Sequence, residues 1–156
     1  MNNVVFAGGI VLALAATGWA YRSLQTPPAQ RSYEELFVEA DLREPNRFGT
    51  HLEQATLACG SWDINGSDSE LIRTKAVQMT SKVIAKIVLG RVQKSHGEDV
   101  GKADIMAWVK DQFYESMKAM DEEPGMEVFR QTTTMLGDPT AMKCVITKSV
   151  DSFYDS

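Results

Sequence analysis

A chain of 156 residues, 44% hydrophobic and 24% charged, holds enough material for one domain with a packed core and is not of disordered composition. Its formal net charge of -5, from 16 basic and 21 acidic residues, argues against nucleic acid as a partner, because non-specific binding to phosphates needs a basic surface. It has no low-complexity tract and no repeat of fixed period, which excludes solenoid and array architectures.

From Met1 to Tyr21 there is no charged side chain. The 18 residues from Val4 to Tyr21, VVFAGGIVLALAATGWAY, are too uniformly apolar and small for an amphipathic surface helix. As a signal peptide, the segment has an apolar core from Val4 to Leu14 and an A-x-A site at Ala13-Leu14-Ala15. A second cut is available after Ala20, although the leading MNN supplies no Lys or Arg. As a membrane anchor, it is just long enough to span the hydrocarbon core. Gly9, Ala13 and Thr17 then form a small-residue row for another helix, with Trp19 and Tyr21 at an interface ahead of Arg22. A helix buried in a soluble domain is the third reading. The expectation is an extracytoplasmic domain, periplasmic or secreted, either tethered by residues 1–21 or released from them.

Residues 22–31, RSLQTPPAQR, read as a linker stiffened by Pro27-Pro28. From residue 32 to 156 every segment reads helical. SYEELFVEADL opens on a capping box, Ser32 with Glu35, and places Tyr33, Leu36, Phe37 and Ala40 on one side. A short helix is expected over Phe48 to Ala58, with Gly60 as its stop. The longest one follows a second capping box, Ser67 with Glu70, and runs to Gly97. Its stripe of Ile72, Ala76, Met79, Val83 and Ile87 is widened by Val77, Ile84 and Val88, so it needs neighbours on two sides. Gly90 is a weak point inside it. A helix over Lys102 to Asp121 presents Ile105, Trp108, Val109, Phe113, Met117 and Met120, and Pro124-Gly125 is expected to stop it. Another spans Met126 to Leu136, with Phe129 and Leu136 inward. Asp138-Pro139 signals the start of the last helix, which turns Met142, Val145, Ile146, Val150 and Phe153 inward. With no alternating run to make a strand, the predicted fold is all-α, a small bundle of about five helices after the N-terminal apolar one.

The chain has two cysteines, Cys59 and Cys144. A catalytic thiol needs a base, yet His51 lies two turns from Cys59 on one helix, and helical neighbours stand three or four apart. A structural zinc site needs four ligands, and the two Cys and two His (His51, His96) show no paired spacing. In an oxidising compartment an even count favours a Cys59–Cys144 disulfide, stapling an early helix to the last one.

Catalytic and cofactor motifs are absent: no GxSxG, P-loop, HExxH, CxxC, CxxCH or GxGxxG occurs. No cofactor and no metal is expected. Asp121, Glu122 and Glu123 read as a solvated helix end, since a consecutive run does not make the facing carboxyls of a glycosidase. DINGSD at 63–68 resembles the start of a calcium loop but has Thr74 where the twelfth-position Glu belongs. Met106, Met117 and Met120 read as core filler rather than soft-metal ligands.

Charge is segregated along the chain. Leu71–Gly97 carries six basic residues and no acidic one, whereas Glu98–Glu127 carries nine acidic residues against three basic. Lys75, Gln78, Lys82 and Lys86 share one helix face. Either the two helices attract as a hairpin, or this face meets an acidic partner or anionic headgroups. The expected function is non-enzymatic binding of another protein, membrane-associated, as an assembly factor, accessory subunit or inhibitor. One alternative is a membrane-associated hydrolase with carboxylates brought together from afar, such as Glu53 and Asp63. Another is a small-molecule carrier with a cavity bordered by Trp108 and Met117.

One measurement tests the compartment. The intact mass of protein from its own cells, alkylated without reduction, is expected to carry no alkyl adduct, whether full-length or cut near Ala15 or Ala20. Two adducts on an uncut chain would refute the exported reading.

Overall fold

The computed structural model describes residues 31–156, and every regular element in them is helical. The apolar segment 1–21 and all of the expected linker except Arg31 lie outside the described residues. There are six helices rather than about five: α1 Tyr33–Arg43, α2 Pro45–Cys59, α3 Ser69–Ser95, α4 Lys102–Lys118, α5 Glu122–Leu136 and α6 Pro139–Asp155. Among the described residues no helix is long and apolar enough to cross a membrane.

Several ends follow the sequence signals. Ser32 Oγ accepts from the Glu35 N–H at 3.2 Å, one half of the expected capping box. Asp138 Oδ1 accepts from the Thr140 and Ala141 N–H groups at 3.0 and 3.3 Å, with Pro139 at the first helical position. At the end of α3, Gly97 has φ +84°, its N–H donates to Lys94 O at 3.0 Å, and Glu98 N–H donates to Gln93 O at 3.0 Å. These are the two bonds of a Schellman motif, and they require the left-handed glycine that the sequence placed there.

Other ends differ. α3 starts after Asp68, which makes no side-chain cap bond, so the Ser67–Glu70 box does not form. Pro124 and Gly125 do not stop a helix; they lie in the first turn of α5, where proline has no intrahelical N–H bond to lose. α4 therefore ends earlier, at Lys118, and α5 starts earlier, at Glu122. Gly60 is extended, with φ -89° and ψ 159°, so it does not end α2 by a left-handed turn. A Cβ there would stand 2.6 Å from the Trp62 indole, whose Nε1–H donates to Leu57 O at 3.1 Å. Close approach of that ring, not backbone freedom, selects glycine.

α3 is the axis. Its buried set runs from Ile72 to Val92 and includes the stripe read from the sequence, except that Ile87 is only partly covered. On one side α1, α2 and α6 pack with α3 around Phe37, Phe48, Ile84, Val88, Val145 and Val150. Here Phe48 lies edge-on to Phe37 at 4.7 Å and to Phe153 at 5.5 Å between ring centroids. On the other side α4 and α5 meet α3 around Met79, Val83 and Phe113. Small hydroxyls fix the register between helices: Ser81 donates to Thr56 at 3.0 Å, and Thr80 donates to Thr132 at 3.1 Å, all four buried. α1 buries Val38 and Glu39 besides Phe37 and Ala40, while Tyr33 stays 44% exposed. Buried Glu39 is paired with Arg31 and, at 3.3 Å, with Arg43.

Cys59 at the end of α2 and Cys144 in α6 lie at disulfide distance, with Cα atoms 5.9 Å apart and 85 residues of separation. Closing so long a loop stabilises by about 4–5 kcal/mol on the chain-entropy account. Cys144→Ser is therefore expected to lower the thermal midpoint of the oxidised protein by on the order of 10 °C. An unchanged midpoint would show that the link carries no stability.

Candidate functional site

An apolar groove of about 940 Å³ lies between the second half of α3, α4 and the end of α5. Its origin is a mismatch in helix length. Thr80 faces Thr132, and Ile72 and Ala76 share a small core with Val128, so α3 and α5 run parallel. α4 runs antiparallel to both. Phe113 packs with Val83 and stacks edge-on with Phe129 at 4.8 Å, and Met117 faces Gly125. α5 ends at Leu136, while α3 continues to Ser95 and α4 comes back from Lys102. Among the described residues no third helix covers the groove face of the far part of the α3–α4 hairpin.

Val83, Ile87, Ile105, Val109, Phe113 and Leu136 supply the apolar lining. Gly90 is part of it: a Cβ there would stand 2.8 Å from Ile105 Cδ1, so the glycine lets α4 lie close to α3 at this turn. Met106 and Phe129 line the mouth and remain 57% and 40% exposed. The charged lining residues are Arg91, Lys94, Lys102 and Lys110, and no Asp or Glu lines the groove. Arg91 is engaged with Glu34 of α1 at 3.1 Å. Lys94, Lys102 and Lys110 take part in no ion pair among the described residues.

The four residues of the expected interaction face lie elsewhere. Lys75 and Lys82 are exposed, Gln78 and Lys86 are half-buried, and none of them lines the groove. Lys86 Nζ sits 5.6 Å from the Trp108 ring centroid. No ion pair joins a basic residue of α3 to an acidic residue of α4 among the described residues. The hairpin is assembled by apolar contact, not by flank attraction. Trp108 and Met117 do not border the groove; it opens on the face of α4 that carries Ile105, Met106 and Val109.

The chemistry considered from sequence is not assembled. Glu53 and Asp63 are both exposed, and neither lines this groove. The carboxyl whose pKa is raised is Asp41 on α1, and burial alone raises it, with no second carboxylate contributing. Glu127 is held low by hydrogen bonds from Arg130 and Gln131. His51 Nδ1 lies 2.6 Å from Ser152 Oγ, a pairing across α2 and α6 that the sequence did not reveal. A nucleophile–base pair also needs a group orienting the base and a cleft for substrate. No carboxylate bonds to His51 among the described residues, and neither residue lines a cavity. Among the described residues no group of three or more His, Cys, Asp or Glu is placed to hold a metal. A second cavity, about 60 Å³ beside Cys59, Trp62 and Gln131, is room for little more than water.

Comparison with protein-family models, with curated proteins and with solved structures returned no match.

Because Lys75 and Lys82 have no carboxylate partner among the described residues, reversing both to Glu is expected to shift unfolding free energy by less than about 0.5 kcal/mol. A larger loss, read from denaturant curves, would restore charge attraction as the force that pairs α3 with α4.

Proposed function

We propose that this protein works by binding, and that its working surface is the α3–α4–α5 groove. One observation carries the reading: an apolar concavity of about 940 Å³ with exposed Met106 and Phe129 at its mouth. Ligand sites in proteins are typically concave, predominantly apolar and roughly 300–1,000 Å³ in volume. Leaving this much apolar lining in contact with water is unfavourable by about 25 cal/mol for each Å². A guest that covers it recovers that free energy.

On sequence alone a protein partner comes first. The groove moves the weight to a guest inserted between helices, the carrier reading, because its apolar floor runs inward to buried Phe113 rather than lying flat on the surface. The disulfide-distance pair Cys59–Cys144 is compatible with an oxidising compartment and supports an extracytoplasmic place of work. Residues 1–21 would tether the domain to a membrane or deliver it across one.

A neutral apolar dye such as Nile red reports the groove directly. It is expected to bind the native protein with a blue-shifted, enhanced emission. Met106→Lys with Phe129→Ser should weaken that binding several-fold and leave the thermal midpoint nearly unchanged, since both side chains are substantially exposed. Dye binding equal in wild type and variant would remove the groove from consideration.

A further inference from the structure

The groove is not only apolar; its charge is polarised along its length. Its apolar end is closed by Val83, Phe113 and Leu136. Its other end lies where α3 finishes and α4 begins, and Arg91, Lys94, Val100 and Lys102 line it there. Lys110 lies two turns further along α4 on the same wall. The eleven-residue step along α3 from Val83 to Lys94 corresponds to about 16 Å of helix. The charged lining is thus weighted toward the α3–α4 loop end, where Arg91, Lys94 and Lys102 lie, with Lys110 nearer the apolar end and Glu98 and Asp99 in the loop but outside the lining.

Resting on the groove reading above, we infer that the guest is a single-chain anionic amphiphile. Its acyl chain lies between α3, α4 and α5, and its carboxylate or phosphate head is held by Lys94, Lys102 and Arg91. Each part of the site has a reason in that arrangement. The chain gains from covering the apolar lining. The headgroup stays at the mouth, hydrated, and the lysine stems lie along apolar surface while their ammonium groups reach it. Because the heads remain near water, no charge has to be buried, and the large cost of burying an ion is avoided. A neutral amphiphile would fill the same lining but leave Lys94 and Lys102 without a counter-charge. An acidic partner helix would need its charges along a side rather than at one end. The polarity of the groove favours the amphiphile.

The experiment uses the mature protein as isolated and loads the groove with Nile red. Sodium oleate, below its micelle concentration, is expected to displace the dye at least tenfold more effectively than oleyl alcohol, which has the same chain and no charge. That preference should shrink as salt is raised, because exposed charges are screened over about 8–10 Å at physiological ionic strength. In Lys94→Glu with Lys102→Glu the preference should vanish, so that oleate displaces the dye no better than oleyl alcohol does from the same variant. Equal displacement by oleate and oleyl alcohol, or a preference retained in the variant, would overturn the inference. So would capture by phosphatidylglycerol vesicles without displacement by monomeric oleate, which would mark a membrane-adsorbing face. Displacement by an acidic amphipathic peptide but not by oleate would overturn it in favour of a protein partner. In all of these the dye still binds and the groove reading stands; failure of the dye itself would overturn that reading instead.

Discussion

The length of α3 sets the rest of the domain. It has 27 residues, about 40 Å at 1.5 Å per residue, against 15 residues in α5. It is buried along nearly its whole length because helices pack on both of its sides. α1, α2 and α6 form the better-filled side, closed by aromatic contacts and by the Cys59–Cys144 pair. On the other side α5 runs out before α3 does. A shorter helix parallel to a longer one leaves part of the longer one uncovered, and α4 alone does not cover it. The groove is a consequence of that difference in length rather than of any local irregularity.

α4 is the element held least firmly. Phe113 is its one buried residue, whereas α3 has eleven and α6 has seven. Elements with little buried apolar surface open most readily, and such elements commonly form the walls of binding sites. Phe113 ties one end of α4 to Val83 and Phe129, and Ile105 against Gly90 ties the other. Between these two points α4 turns Met106, Val109 and Lys110 toward the groove. A guest lying there would contact all three helices and add the packing that the protein alone lacks. Small hydroxyl pairs tie α3 to α2 through Ser81 and Thr56 and to α5 through Thr80 and Thr132.

The charge pattern takes on a different meaning in three dimensions. The basic run of α3 and the acidic run beyond it do not meet as pairs. Arg91, the basic residue of α3 that does form an ion pair, reaches to Glu34 on α1. The stripe of Lys75, Lys82 and Lys86 stays apart from the groove, while Lys94, Lys102 and Lys110, two of them from the nominally acidic region, line it. Among the described residues these three lysines form no ion pair, and basic side chains on one wall favour an anionic guest.

What the sequence determined by itself is the helical class, the approximate spans, the core face of α3 and α6, the Gly97 and Asp138-Pro139 boundaries, and the pairing of two cysteines that had no other partner. These are local matters: periodicity, capping residues and an even thiol count act within a few turns or leave no alternative. The errors came where one residue type serves two local purposes. Pro124 reads as a stop but equally starts a helix, and Gly60 reads as a left-handed cap but makes room for an indole. What only the tertiary structure decided is the groove. Its existence depends on α3 and α5 being parallel and unequal in length, and its polarity depends on Lys94 at the end of α3 and Lys102 at the start of α4 both lining it. Neither is encoded in the periodicity of any one helix, because side chains at i, i+3 and i+4 say which face is apolar but not which neighbour, if any, will cover it.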